Sequence, residues 1–333
     1  MKAIVNTEYG SPDDLELREI DKPPVDADGV LVRVRAASVN PVDWHRMRGE
    51  PYVVRPMMFG LRRPKRSVPG VDVAGHVEEV GANVRQLRPG DEVFGGPGSA
   101  FAQYVCGGEE DFAPKPAGLT FEQAAAVPVA GCTALQALRD HGQLQPGQSV
   151  LINGAAGGVG TFAVQIAKAL GGDVTGVCST QNVDMVRSIG ADHVVDYTVE
   201  DFTRSGRRYD LIVNVAGNRS VSDLRRALTP KGTLVLAGGG VGREAGGRLG
   251  LLVESLKLVA GSLGVLVLSR FVGQRLLVFM AKIRTEDLVV LKELIEAGKV
   301  TPVIDRAYPL NEAPEAIRYL EAGHARGKVV VTV

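Results

Sequence analysis

Residues Ser149 to Gly160 read SVLINGAAGGVG, an apolar run that breaks into a glycine-rich turn and then re-enters an apolar helical pattern. A strand, a phosphate-binding turn and a helix start therefore follow one another. The small residues fall at Ala155, Gly157 and Gly160, which is G-x-G-x-x-G with alanine in the first place. The first permits the tight turn, Gly157 admits a pyrophosphate against the backbone, and Gly160 lets the helix lie close on its strand. The N–H groups of the first helical turn, with Gly158 and Val159, favour phosphate charge. A glycine-rich turn of this kind also occurs without a ligand, so its surroundings decide.

From Gly158 the chain continues GVGTFAVQIAKALGG, which puts Val159, Phe162, Ala163, Ile166, Ala167 and Leu170 on one helix face with Gly171 as the stop. A second strand, Asp173 to Cys178, follows directly. An NAD-binding unit places an acidic residue for the ribose hydroxyls about 20 residues on; here Ser179 stands there, in CSTQN. A carboxylate would repel a 2′-phosphate, whereas Ser179, Thr180 and Asn182 can donate to it. NADPH is therefore expected over NADH. The alternative is a plain turn of small polar residues, with no Arg or Lys immediately beside it.

Outward from this unit, the strands HVVDY (His193 to Tyr197), DLIVNVAG (Asp210 to Gly217) and GTLVLAGGG (Gly232 to Gly240) alternate with helical patterns, and LLVFMAK (Leu276 to Lys282) adds a sixth. Strands separated by helices imply a parallel doubly wound sheet. Residues 1 to about 124 instead show β texture, as in GVLVRVRAASV (Gly29 to Val39) and VAGHVEEVG (Val73 to Gly81), punctuated by Pro and Gly. After a helix from Glu286 to Ala297 the chain returns to that texture through KVVVTV. Its last strand needs a partner, and the N-terminal β domain supplies one. The expected fold class is thus α/β: a discontinuous β-rich domain (1–124 and 284–333) and a six-stranded dinucleotide-binding domain (125–283).

The 333 residues carry 38 basic and 38 acidic side chains. That balance argues against nucleic acid or an anionic membrane as main partner. The three cysteines, Cys106, Cys132 and Cys178, are scattered, and MKAIVNTEYG has neither a basic leader nor an apolar core, which reads as a reducing cytoplasm. The most apolar segment, Leu249 to Leu268, holds Glu254, Lys257 and several glycines, so a packed or lid-forming helix is expected rather than a membrane span.

With these pieces placed, the whole chain resembles the zinc-independent, quinone-oxidoreductase-like branch of the medium-chain dehydrogenase/reductase superfamily. Its markers are NPVDWHRMRG (Asn40 to Gly49), PGVDVAGHVEEVG (Pro69 to Gly81), RPGDEVFG (Arg88 to Gly95), AGCTALQAL (Ala130 to Leu138), NGAAGGVG, GADHVVDY and HARGKVVVTV. The resemblance implies a GroES-like β domain built from both chain ends, a Rossmann domain, and an active site in the cleft between them. Zinc-dependent relatives carry a cysteine at Asn40, a histidine at Val71 and a second cysteine near Val129. None of these residues can ligate zinc, which needs about three N/S/O protein ligands, so no metal is expected. His76 lies five residues beyond Val71 and is read as a solvated or strand-packed histidine rather than a ligand, and His45, His141, His193 and His324 show no ligand spacing.

Without a Lewis acid, ordinary alcohol oxidation loses its main support, and the acceptor should already be electrophilic: a quinone, an enone, an enal or an enoyl thioester. The resemblance puts Asn40 beside the nicotinamide and the substrate, where its amide would donate to a developing oxyanion. Asp43 and Arg48 form either an ion pair or a substrate contact. Tyr52 either donates to substrate oxygen or closes the site with its ring. The resemblance further implies that Thr133 lies near the carboxamide, Tyr197 by the adenosine phosphate, Ala216 with Gly217 and Gly238 with Gly239 and Gly240 at the switch-point crevice, and Lys328, next to Gly327, at the cofactor. Each has a plainer role available: helix hydroxyl, strand-end ring, turn glycine or solvated amine.

Between Arg55 and Arg66 the chain reads RPMMFGLRRPKR, five basic residues around an apolar knot. It is either a solvated loop or a receptor for an acidic or CoA-type tail; as a nucleic-acid site it is thin, since aromatics make up 5% of the chain and leave few stacking platforms. Two rival functions stay open: an NADPH-binding sensor or accessory protein with little turnover, and a trans-acting enoyl-thioester reductase. A homodimer is expected through the sixth strand, whose apolar edge would pair with its two-fold mate.

Overall fold

The computed structural model describes residues 1–52, 55–217, 219–237, 269, 272–323 and 325–333. The chain forms two compact units: Met1–Cys132 with Lys282–Ala297 and Pro302–Val333, and Thr133–Ala281 with Gly298–Thr301.

In the first unit the strands are β1 (Lys2–Val5), β2 (Glu16–Glu19), β3 (Gly29–Val39), β4 (Asp72–Val80), β5 (Glu92–Gly95), β6 (Tyr104–Gly108) and β7 (Phe112–Pro114). Alternation predicts β3 to be half exposed, but only Arg33 and Arg35 reach solvent; the other nine residues are buried. The reason is its neighbours: β4, β6 and the last strand of the chain all pair with it, so it is the centre of its sheet. Gly75 in β4 has no alternative residue, because a Cβ there would stand 2.1 Å from the Arg33 carbonyl oxygen.

The second unit contains β8 (Ser149–Asn153), β9 (Asp173–Cys178), β10 (His193–Asp196), β11 (Tyr209–Asn214), β12 (Leu228–Ala237) and β13 (Arg275–Phe279), in the spatial order β10-β9-β8-β11-β12-β13. Every pairing is parallel. This is the doubly wound dinucleotide-binding order, whose crevice opens at the C-terminal ends of the strands where the order reverses, here between β8 and β11. Leu151, Val177, Phe202, Ile212, Leu224 and Leu234 form part of its core. The helix Gly158–Ala169 is buried from Gly160 to Ala167 on all sides, not on the single face that its apolar residues predict. Its one long polar side chain there is satisfied: Gln165 donates from Nε2 to the Thr161 and Thr301 carbonyls (both 3.0 Å) and accepts from Thr301 N (2.8 Å).

The chain then returns to the first unit through β14 (Ile304–Pro309) and β15 (Lys328–Thr332). β15 pairs antiparallel with β3, Val329 opposite Val39 and Val330 opposite Ser38, and parallel with β14. Both chain ends therefore build one sheet. Helix Ala313–Glu321 buries Ala313, Ala316 and Ile317 in the same core as Val329 and Val331. The register matters beyond stability: it sets Lys328, the first residue of β15, just past the end of β3, where Asn40 begins. Among the described residues no helix is long and apolar enough to cross a membrane.

Candidate functional site

The glycine turn after β8 differs in one detail from its sequence reading. The tight turn is made by Gly154, at φ +93°, and not by Ala155, which is fully buried; only glycine takes a positive φ at little cost. Gly154 N and Ala155 N both donate to the Val177 carbonyl (3.2 and 3.0 Å), tying the turn to β9. The Asn153-Gly154 dipeptide was the available signal, since N-G marks turns. A Cβ on Gly160 would meet Gly154 O at 2.0 Å, so the helix lies against the turn with no room for a side chain. A Cβ on Gly157 would meet nothing nearer than Gly154 O at 3.6 Å. There is open space beside that backbone. Gly157 is the N-cap of the helix and supplies no side-chain cap, and the N–H groups of Gly158, Val159 and Gly160 have no intrahelical acceptor. Space, donors and dipole together fit a pyrophosphate.

Around this cradle the strand ends gather several predicted residues. Val215 N and Ala216 N donate to the Asn153 carbonyl (3.0 and 3.2 Å), and exposed Gly217 turns at φ +66°. Asn153 Nδ2 donates to Asn214 Oδ1 at 2.7 Å, a buried amide pair locking β8 to β11 that sequence reasoning did not single out. Tyr197, 45% exposed, donates its backbone N–H to Cys178 O at 3.0 Å, which sets it beside Ser179. The three polar residues after β9 do not all face outward as expected. Asn182 is buried and donates Nδ2 to Ser179 Oγ (3.1 Å), while Thr180 Oγ1 lies 2.9 Å from Thr198 Oγ1. Thr198 in turn donates to Asp196, whose carboxyl is held below its ordinary range by the hydroxyls of Thr180 and Thr198. Ser179 Oγ–H thus remains the outward donor, with Asn182 as its support. Thr133 is buried on the helix Pro128–Leu135. Gly238, Gly239 and Gly240, His324 and the apolar segment Leu249 to Leu268 lie outside the described residues.

In the β-rich unit, Asn40 and Lys328 meet. Asn40 stands at the N-cap of helix Pro41–Arg48, where asparagine ordinarily accepts from the helix, yet its side chain turns away. Its Oδ1 accepts from Lys328 Nζ (2.6 Å) and its Nδ2 donates to Asp72 Oδ2 (2.8 Å), with a longer bond to Ser38 O (3.4 Å). Asp72 is fully buried and also accepts from Ser38 Oγ (2.8 Å) and Val129 N (3.0 Å). Lys328, 3% exposed, has Val39 O (3.3 Å) and Asp72 Oδ2 (3.5 Å) as further partners. Its three N–H directions are therefore used inside the domain. Burial lowers the Lys328 pKa against the pull of Asp72 and Asp43, and burial raises that of Asp72 against the pull of Lys328. Asp72 was legible only as an acid inside an apolar strand, a rarity that needs a partner.

One local expectation is corrected here. Asp43 does not pair with Arg48: it is fully buried and accepts the Asn40 backbone N–H at 2.8 Å, while Arg48 forms a fork with Glu321, Nε to Oε1 at 2.5 Å and Nη2 to Oε2 at 3.1 Å. Tyr52 follows the far end of helix Pro41–Arg48 from Asn40. The eight-residue helix separates them by about 12 Å along its axis, and the Tyr52 ring lies 4.2 Å from the Arg55 guanidinium, which also covers Tyr9 at 4.1 Å. Arg55 is held in turn by Gly49 O (2.5 Å) and Arg48 O (3.0 Å). His45 is neutral: burial pushes it down to about 4, and Nδ1 sits 3.1 Å from Glu50 O.

The positions where zinc-dependent relatives hold their metal do converge on Asp72, through Asn40, the adjacent Val71 and Val129 N. Their donor set does not fit zinc. The amide of Asn40 is committed on both ends and neither valine offers a lone pair; among the described residues no group of three His, Cys, Asp or Glu is placed to hold a metal.

Comparison with known proteins agrees with this architecture. The alcohol dehydrogenase GroES-like domain matches residues 26–137, and the zinc-binding dehydrogenase family matches residues 189–331. A 2-methylene-furan-3-one reductase of Solanum lycopersicum is 34% identical, covering 99% of this chain and 79% of its own. A chloroplastic NADPH-dependent alkenal/one oxidoreductase of Arabidopsis thaliana is also 34% identical with 99% and 79% covered. The solved quinone oxidoreductase of Coxiella burnetii superposes with a TM-score of 0.81 at 30% identity, over 100% of this chain and 99% of that one. The chain belongs to the medium-chain dehydrogenase/reductase superfamily, in its quinone-oxidoreductase-like group.

Proposed function

We propose that the protein is an NADPH-dependent reductase of quinones and α,β-unsaturated carbonyl compounds. The observation that carries this is the cradle at Gly157, an open backbone surface at a helix start, followed by Ser179 where an NAD-binding unit has an acid. Relatives with the printed activities of enone and alkenal reduction support the substrate class. NADPH supplies hydride from the nicotinamide to the electron-poor carbon of the acceptor. Gly157, Gly158 and Val159 receive the pyrophosphate, Ser179 donates to the 2′-phosphate with Asn182 behind it, Tyr197 flanks the adenosine, and Ala216 and Gly217 leave the crevice clear.

Asn40 is the group assigned to the developing oxyanion. Lys328 and Asp72 fix its amide orientation, and its second N–H, held only by the 3.4 Å bond to Ser38 O, is the donor that a better acceptor would take. Tyr52, whose hydroxyl makes no hydrogen bond among the described residues, serves substrate oxygen or acts as a wall, and Thr133 is assigned to the carboxamide. The three free cysteines fit a reducing, cytoplasmic setting. A homodimer through β13 fits the exposure of Val278 (42%) and Met280 (70%) at the sheet edge.

The test is oxidation of NADPH or NADH by purified protein with a quinone, an enone, an enal, an enoyl-CoA and a saturated ketone, each with and without chelator. Chelator-insensitive turnover of the conjugated acceptors with NADPH, and none of the ketone, is expected. Tight NADPH binding without turnover would replace this reading by the sensor or accessory one, and selective turnover of the enoyl-CoA by a thioester reductase.

A further inference from the structure

The β-rich unit contains a cavity of about 400 Å³ that the functional reading above leaves unused. It is bounded by the helix Pro41–Arg48, the loop from Phe59 to Val71 and the turn Gly96 to Gly98. Its chemistry is divided. Met47, Phe59 and Val71 make an apolar wall, whereas Arg46, Lys65 and Arg66 supply three cations against the single carboxylate of Asp111. Two of its polar groups lack what their surroundings require. Asn6 is 3% exposed, lines the cavity, and its Oδ1 has no hydrogen-bond partner; buried amides are normally satisfied. Arg46 is half-buried and its guanidinium makes no hydrogen bond among the described residues; burial lowers its pKa, the Asp43 carboxyl draws it back up and the Arg66 charge pushes it down. Arg66 donates Nη1 to Pro97 O at 2.5 Å and keeps its remaining N–H groups.

We propose that this cavity binds the carboxylate of an otherwise apolar molecule and, on the reading of the chain as a conjugate reductase, selects acceptors that carry one. A carboxylate between Arg46 and Arg66 removes their mutual repulsion and gives planar forks a planar partner. The apolar wall takes the hydrocarbon. A dianionic phosphate suits the cavity less, because Asp111 faces the same space. The cavity also adjoins the Asn40 network: Val71 lines it and Asp72, the next residue, holds the Asn40 amide. Arg46 and Met47 lie on the helix that Asn40 begins.

The experiment uses the full chain in two arms. By calorimetry without NADPH, hexanoate, methyl hexanoate and hexyl phosphate are titrated into wild type, Arg66→Gln and Arg46→Gln. Hexanoate is expected to bind at least tenfold more tightly than the ester and the phosphate, and to lose at least tenfold in both variants; Arg66 is exposed, so its variant keeps the arm decisive should Arg46→Gln unfold. Equal affinity for acid and ester, binding that survives both substitutions, or a tenfold preference for the phosphate overturns the assignment. In the second arm, 7-oxonon-8-enoate and its methyl ester are compared as acceptors. A kcat/KM ratio of acid to ester above ten that falls towards one in Arg66→Gln is expected, and a wild-type ratio near one overturns the selectivity. If neither enone is reduced, the reductase reading fails by itself, and the calorimetric arm still decides the cavity.

Discussion

Lys328 is an ammonium placed where water cannot reach it, and Asp72 and Asn40 make that placement tolerable. Removing one partner of a buried charge pair strands the other, at a cost of about 3–5 kcal/mol. Lys328→Met should therefore lower unfolding stability by that amount in urea titration, and Asp72→Asn added to it should recover part of the loss. A single-variant change below about 1 kcal/mol would show that the pair is solvated and the network argument wrong. In the proposed function, Ser179 carries the cofactor preference by lacking a charge. Ser179→Asp should raise the KM for NADPH at least tenfold while that for NADH falls or holds, since a carboxylate repels a 2′-phosphate and accepts from ribose hydroxyls; unchanged discrimination would remove Ser179 from the cofactor site.

Among the elements, β13 is an edge strand of the six-stranded sheet. Among the described residues it pairs with β12 on one side only, and Val278 and neighbouring Met280 are exposed. An apolar unpaired edge invites another strand, and an identical edge across a two-fold axis closes the assembly. The protein should sediment as a dimer at micromolar concentration, and Val278→Lys with Met280→Lys should make it monomeric with its fold intact by circular dichroism. A monomeric wild type would exclude this pairing. The opposite case is β3, flanked on both edges. Its apolar residues were plain in the sequence, and its central place was not, because centrality depends on a strand contributed 289 residues later by Lys328 and its neighbours.

For the molecule as a whole, two buried groups, Asp43 and His45, are moved furthest into the range where they shape how stability follows pH. Asp43 is pushed up to about 7, chiefly by burial, with the Asn40 N–H pulling it down, Asp72 raising it, and Arg46 and Lys328 lowering it. The native state therefore keeps a proton that the unfolded chain loses near pH 4. This contribution is full below about pH 4, declines as pH rises, and is gone once pH passes about 7. His45 works in the other sense: its native value of about 4 lies below the unfolded one of about 6.5, so its contribution is present above about 6.5 and lost as pH falls through about 4. Subtracting Asp43→Asn from wild type isolates the first. The difference in unfolding free energy, wild type minus variant, should fall between pH 4.5 and 7.5. A flat or rising difference would mean that Asp43 is ionised in the fold.

The glycine turn, the helix at Thr285–Glu296 and the strand Gly29–Val39 were legible because each is written in near neighbours: turn residues at set spacings and apolar residues at the period of the element. The doubly wound sheet followed from strands and helices in alternation, and the motifs from Asn40 to Gly49 and from Pro69 to Gly81 carried the family resemblance. What stayed hidden was pairing at a distance. Asp43 beside Arg48 suggested an ion pair, yet Arg48 found Glu321, 273 positions away. Lys328 suggested a cofactor contact or a solvated amine, and its amine is buried against Asp72 and Asn40. Asn182 pointed back to Ser179. A buried polar side chain must take whichever partner the packed backbone brings within about 3 Å. Local spacing determines which elements form, while the meeting of β3 with β15 decides what Asn40 can do.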